Sequence, residues 1–238
     1  MARFDAVFFD NGDTLFHKPL APPAIMSLAG ELGVRIDAEG AHEAWEAVKR
    51  EKRSIDDAEL VFGRNRSAEG HRRYYLRCYE PLESLCPGLA EAFYLEFKTS
   101  ATSMLPYPDT RATLEAIHRA GIPVGIVSNT GWNIREGYER AGFTELVDCF
   151  VLSYEHGMAK PEPELFATAA RSLGVELGRV LMVGNNGRAD SGAADLGCTC
   201  LILPPVDRGA VRGLDAVLRL AELEELSDVA GPVGVPGR

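Results

Sequence analysis

Five polar residues have types and positions that suit covalent chemistry: Asp10, Ser128, Lys160, Asn185 and Asp190. The first stands in "AVFFDNGDTLF", where an apolar run ends abruptly in a carboxylate followed at once by turn residues. Read alone, this is a strand closing in an Asx turn, because Asn11 and Gly12 both tolerate positive φ. The other four give Asp10 company. Ser128-Asn129-Thr130 follows "VGIV", Lys160 lies in "HGMAKPEPELF", and Asn185 and Asp190 lie in "GNNGRAD" after "VLMV". A carboxylate, a hydroxyl, an ammonium and a second carboxylate, brought to one place, can attack, orient and neutralise an anionic group. Asp10 would then act as a covalent nucleophile.

Those residues need elements to position them. Five short apolar, β-rich runs occupy 6–9, 123–127, 149–152, 180–183 and 199–203. Helical patterns at 109–120, 132–141, 163–173 and 190–196 separate the last four, each followed by Gly (Gly121, Gly142, Gly174, Gly197), with Asp109 as an expected N-cap. Strands alternating with helices imply βα units and a mostly parallel sheet. In such sheets ligands bind beyond the carboxyl ends of the strands, where these polar residues fall. Between Phe16 and Met104 the pattern is helical, at 22–32, 38–53, 69–79 and 88–98, with no strand. The chain is therefore read as an α/β protein with a Rossmann-like three-layer core and an inserted all-helical unit. The core is 1–16 plus 105–228, the insertion 17–104, and 229–238 a frayed Gly/Pro-rich tail.

Composition limits the alternatives. The chain has 238 residues, 46% hydrophobic and 25% charged, with a formal net charge of −10. That balance disfavours nucleic acid and anionic membrane as partners. No apolar run approaches the roughly 20 residues needed to span a bilayer, and the N-terminus does not read as a secretory signal. Five scattered cysteines do not form a disulfide framework; Cys198 and Cys200 read as buried small hydrophobes rather than a metal pair. The expected setting is cytoplasmic, as monomer or homodimer.

The motifs, taken together, resemble the haloacid dehalogenase-like hydrolase superfamily. Asp10 to Leu15 is similar to its first motif, D-x-D-G-T-L. "GIVSNT" resembles the second, "SYEHGMAKPEPELF" the third, with Lys-Pro, and "LMVGNNGRAD" the fourth, G-D-x-x-x-x-D. Four motifs in order and spacing make a specific match, where one would be weak. The resemblance implies catalysis by Asp10, Ser128 and Lys160, and substrate contacts from Gly12, Asp13, Thr14 and Asn129. It also implies a helical cap over the site and Mg²⁺ held around Asp10, the Gly12 carbonyl, Asn185 and Asp190, the last as an outer partner. A small anionic metabolite is the implied ligand.

Two departures bear on the reaction. The family's phosphatases carry an Asp general acid and base where this chain has Gly12, and Asp13 is displaced by one residue, which redirects its side chain. The family's metal-binding carboxylate is here Asn185, which offers an amide oxygen without charge. Three readings follow: a phosphatase with an atypical site, which leads; a metal-independent 2-haloacid dehalogenase; and a catalytically weak binder of phosphorylated ligands. The dehalogenases share Ser128-Asn129, but their Tyr at the Gly12 position and their Tyr after Lys-Pro (here Phe166) are missing. A Schiff-base role for Lys49 or Lys52, as in phosphonoacetaldehyde hydrolases, is a remote fourth.

Arg64, Arg66, Arg72, Arg73 and Arg77 could receive an anionic substrate tail, but pairing with nearby acids on a solvated helix face is favoured. Trp45, Tyr74, Tyr75 and Tyr79 read as packing residues, and His17 and His156 as surface residues.

Overall fold

A computed structural model describes residues 3–100 and 103–223. Residues 224–228 of the expected core and the expected tail lie outside them. Five parallel strands form one sheet in the order β5-β4-β1-β6-β7: β1 (Ala6–Phe9), β4 (Val124–Ser128), β5 (Cys149–Leu152), β6 (Val180–Gly184) and β7 (Thr199–Ile202). β1 is central, pairing Phe9 with Ile126 on one side and with Val183 on the other. All four of its residues are buried, as a strand covered on both faces requires.

Side chains alternate across the sheet with period two. Val7 and Phe9 join the core under α7 (Thr110–Arg119), α8 (Arg135–Ala141) and α11 (Asp215–Leu220), with Leu114, Tyr138 and Val217. Ala6 and Phe8 join the opposite core, with Leu165, Phe166 and Ala169 of α10 (Pro163–Leu173). These are the three layers of a Rossmann-like α/β fold. The α10 helix begins with Pro at its first turn and stops at Gly174, whose φ of 67° ends it in the left-handed region.

Between β1 and β4 the chain builds a second packed unit from α1 (Ala21–Glu31), α2 (Ala38–Ser54), α3 (Ala58–Gly63), α4 (Ala68–Cys78), α5 (Glu80–Glu83) and α6 (Leu89–Tyr94). Its own apolar core includes Ile25, Val48, Tyr74, Tyr79, Leu82, Phe93 and Phe97. Asp37, Asp57 and Ser67 cap α2, α3 and α4 through side-chain oxygens that accept from backbone N–H groups.

Four expectations change. A two-residue antiparallel ribbon, β2 (Phe16–His17) with β3 (Leu105–Pro106), ties the ends of the helical unit together. Two residues are too few for a periodic signal. Asp109 does not cap its own helix: its carboxylate accepts from the N–H groups of Arg212, Gly213 and Leu214, and so holds the approach to α11. The segment 190–196 is a 3₁₀ helix, and α8 starts at Arg135, not Trp132. No described helix is long and apolar enough to cross a membrane. The five cysteines are free, Cys198 buried and Cys200 half-buried.

Candidate active site

The parallel sheet delivers Asp10 and Ser128 to one edge. Asp10 follows β1 directly and stays in register through its N–H, which donates to the Val183 carbonyl at 2.9 Å. The chain then turns on Asn11, whose carbonyl accepts from Leu15 and Phe16 N–H and whose side-chain oxygen accepts from Tyr138 Oη at 3.0 Å. Thr14 is fully buried within this turn, and Asp13 adopts a φ of 56°. Ser128 ends β4 and is buried.

Lys160 is the centre of the polar arrangement. Its Nζ donates to Asp10 Oδ1 at 2.7 Å and to Asp190 Oδ1 at 2.6 Å. The Lys160 and Asp190 side chains are each 1% exposed, whereas Asp10 retains 14%. Burial disfavours the ammonium, but the two carboxylates outweigh it and hold the Lys160 pKa above its ordinary value. For Asp10, burial pushes the carboxyl up; the Lys160 charge opposes that and Asp190 adds to it, leaving the group raised. Asn129 supports the lysine from behind: its Oδ1 accepts from Lys160 N–H at 2.8 Å and its Nδ2 donates to the Lys160 carbonyl at 3.0 Å. The side-chain amide, expected to meet substrate, is spent on placing the lysine.

Asp190 is equally committed. Its Oδ2 accepts from the Asn185 and Asn186 N–H groups at 3.0 and 2.8 Å. That oxygen passes so close to Gly184 that a Cβ there would sit 2.1 Å from it, so the end of β6 has to be glycine. Asn185 Oδ1 lies 3.5 Å from Thr14 Oγ1. Among the described residues no group of three His, Cys, Asp or Glu could hold a metal.

A cleft of 660 Å³ opens onto this edge. Asp10, Gly12, Asp13, Ser128, Asn129, Lys160, Asn185 and Asp190 all line it; Thr14 lies below. Its other wall comes from the helical unit and its linking segment, with Lys18, Lys52, Phe62, Arg64, Arg66 and Tyr75, and from Trp132 in the loop after β4. Of the arginine cluster, Arg66 pairs with Glu162, Arg72 with Glu91 and Arg77 with Glu51 and Glu80, as pairing predicts. Lys18 escaped sequence reasoning. Its one signal is position, immediately beyond His17 where the chain leaves the core.

The chain resembles known proteins in sequence and in fold. The chain is 27% identical over 233 residues to the ribulose-1,5-bisphosphate 5-phosphatase of Halopiger xanaduensis, covering 95% of this chain and 96% of that one. The crystal structure of a phosphatase from Thermococcus onnurineus superposes with a TM-score of 0.60 at 22% identity, covering 92% and 99% of the two chains. The L-2-haloacid dehalogenase of Xanthobacter autotrophicus superposes with 0.59 at 20% identity, covering 91% and 88%. These two structural likenesses speak to fold alone, and the fold serves both chemistries. The family model for haloacid dehalogenase-like hydrolases matches residues 4–196. With its motifs, its sheet order and that match in agreement, the chain belongs to the haloacid dehalogenase-like hydrolases.

Proposed function

We propose that the protein is a phosphatase of small phosphorylated metabolites that works through an aspartyl-phosphate on Asp10, with the unit from α1 to α6 as a cap over the site. The observation that carries this is the Asp10–Lys160–Asp190 arrangement, buried on one side and open to the cleft at Asp10. A relative matched over nearly its full length and named ribulose-1,5-bisphosphate 5-phosphatase supports attack of Asp10 on phosphorus over attack on a halide-bearing carbon.

The remaining Asp10 oxygen attacks phosphorus, the P–O bond to the leaving group breaks, and water later cleaves the acyl phosphate to regenerate Asp10. Lys160 offsets charge between the carboxylate and the phosphoryl oxygens, and the Ser128 hydroxyl donates to one of them. Asn129 and Asp190 are positioning residues for Lys160. Gly12 cannot protonate the leaving oxygen, so the site favours substrates whose leaving group departs as a stable anion, such as acyl phosphates, which release a carboxylate.

Mg²⁺ fits the donors that remain. Asp190 is saturated, which leaves Asp10, the Gly12 carbonyl and the Asn185 amide oxygen to hold it, one carboxylate with two neutral oxygens. That is a weak but adequate set for an ion that keeps several waters and completes its shell with substrate phosphate. When bound, it would neutralise charge on the phosphoryl group.

The test is hydrolysis of p-nitrophenyl phosphate and acetyl phosphate, with Mg²⁺ and with EDTA, beside Asp10→Asn. Mg²⁺-dependent phosphate release that disappears in the variant is expected. No release from either ester, with chloride freed from 2-chloropropionate, would make the protein a dehalogenase instead.

A further inference from the structure

The cap side of the cleft carries more positive charge than the Asp10 end accounts for. Lys160 is already matched by two carboxylates. Lys18, Lys52 and Arg64 nevertheless line the same cleft, and Lys98 stands close behind them. Among the described residues none of these four makes an ion pair, although Arg66, Arg72 and Arg77 of the same helical unit each have a glutamate. Their contacts are with rings and hydroxyls instead. Lys18 Nζ lies 4.5 Å above the Trp132 ring and donates to Ser103 Oγ at 2.9 Å. Lys98 Nζ lies 4.3 Å above Tyr75, with the Lys52 ammonium 6.0 Å from the same ring, and Arg64 Nη1 donates to Tyr74 Oη at 3.3 Å. Such contacts orient the cations without neutralising them.

This arrangement is unfavourable without a ligand. Burial, then the neighbouring Lys98, lowers the Lys18 amine, and burial lowers Lys98 to about 8. Asp13 is the acid whose charge reaches both. In a protein of net charge −10, a cluster of unpaired cations inside a cleft is a local reversal of sign. A phosphate monoester with a neutral remainder would occupy the Asp10 end and leave the cluster uncompensated.

We propose that the cleft takes a phosphomonoester bearing a second anionic group, carboxylate or phosphate, which docks on Lys18, Lys52 and Arg64 while the first phosphate meets Asp10. The proposal rests on the phosphatase reading for the role of Asp10. The second anion replaces the missing acidic partners, and the aromatic faces of Trp132 and Tyr75 flank it.

Two pairs of esters test this, each differing by the second anionic group: 3-phosphoglycerate against its methyl ester, and propane-1,3-diol bisphosphate against the monophosphate. Binding to Asp10→Asn, measured calorimetrically, should favour the doubly anionic member of at least one pair by ~10–100-fold, as expected for charge-assisted bonds. The pair that discriminates identifies the second group as carboxylate or phosphate. Adding Lys18→Met and Lys52→Met should collapse that ratio toward one; Lys18→Gln and Lys52→Gln, made singly, serve if the double variant fails to fold. Equal affinities within both pairs, or a preference that survives these substitutions, would overturn the second-anion site. Turnover of the same esters by the unaltered enzyme separates the two ideas, because release of phosphate without discrimination sinks only this one. Discrimination in binding without release of phosphate from any of these esters or from acetyl phosphate sinks only the phosphatase reading.

Discussion

Lys160 Nζ and Asp190 Oδ1 stand 2.6 Å apart, each side chain buried to 1% exposure, and Asp10 completes the arrangement at 2.7 Å from the same ammonium. One cation thus serves two carboxylates in a nearly dry site. Breaking such a buried group by removing one partner strands the others. Asp190→Asn removes a charge while keeping the shape, and it costs one of the two oxygens that accept from Lys160 and the backbone N–H groups of Asn185 and Asn186. We expect a loss of about 3 kcal/mol in unfolding free energy, read as a lower urea midpoint with an unchanged slope. A midpoint within error of the parent would show that the Asp10 charge alone satisfies Lys160.

Gly12 leaves room for the acid that the family's phosphatases use. A Cβ built there meets nothing within 4 Å, and its φ is not among the positive ones. Gly12→Asp should therefore raise kcat for alkyl phosphates, whose leaving oxygen needs a proton, by ~10²–10⁴-fold. Acetyl phosphate, whose leaving group departs as a stable anion, should respond far less. A uniform change across alkyl phosphates and acetyl phosphate would argue against a missing proton donor.

Gly131, after β4, packs tightly against the helical unit. A Cβ there would lie 2.1 Å from His71 Cβ on α4, a backbone-anchored atom that cannot rotate away. Gly131→Ala must push α4 from the core or strain the turn after β4, at about 1–3 kcal/mol for overpacking. Because residues of the helical unit line the cleft, kcat/KM should drop at least about tenfold if that unit closes over substrate. Steady-state kinetics beside thermal unfolding would check it; unaltered kinetics would mean that the cap contact at Gly131 is dispensable.

His71 should make the cap contact sensitive to acid. Burial, then the charges of Lys98, Lys18 and Arg64, holds its pKa down to about 3, and its Nδ1 lies 3.0 Å from Tyr94 Oη. The folded imidazole stays neutral while the unfolded one gains a proton below about 6.5. Stability from this residue is thus complete above pH 6.5 and is lost progressively down to about pH 3, at roughly 1.4 kcal/mol per pH unit. Between pH 7 and pH 5 that amounts to about 2 kcal/mol. His71→Phe should flatten this limb of a plot of unfolding free energy against pH, whatever it does to the stability at pH 7. An unchanged limb would assign the acid sensitivity to other groups.

The sequence by itself determined the parallel sheet and the motif order, and it singled out Asp10 as the residue at the end of the first strand. Those are carried by local patterns: a continuous apolar run before Asp10, Gly at helix ends, and polar residues after strand ends. What it could not decide were pairings between distant positions. Lys160 and Asp10 are separated by 150 residues, and their 2.7 Å contact exists because β1 and β4 are neighbours and Asn129 grips the lysine backbone. Asp109 looked like a cap for α7 and serves the segment before α11, more than a hundred residues on, because the nearest orphan N–H groups in space belong to that segment. The cleft's cations were hidden for the same reason. Lys18, Lys52 and Arg64 come from separate stretches, and no spacing rule says that they face one cavity or that, among the described residues, no acid pairs with them. Local propensity writes the elements, whereas charge balance in a site depends on which elements pack together, and only the tertiary structure specifies that.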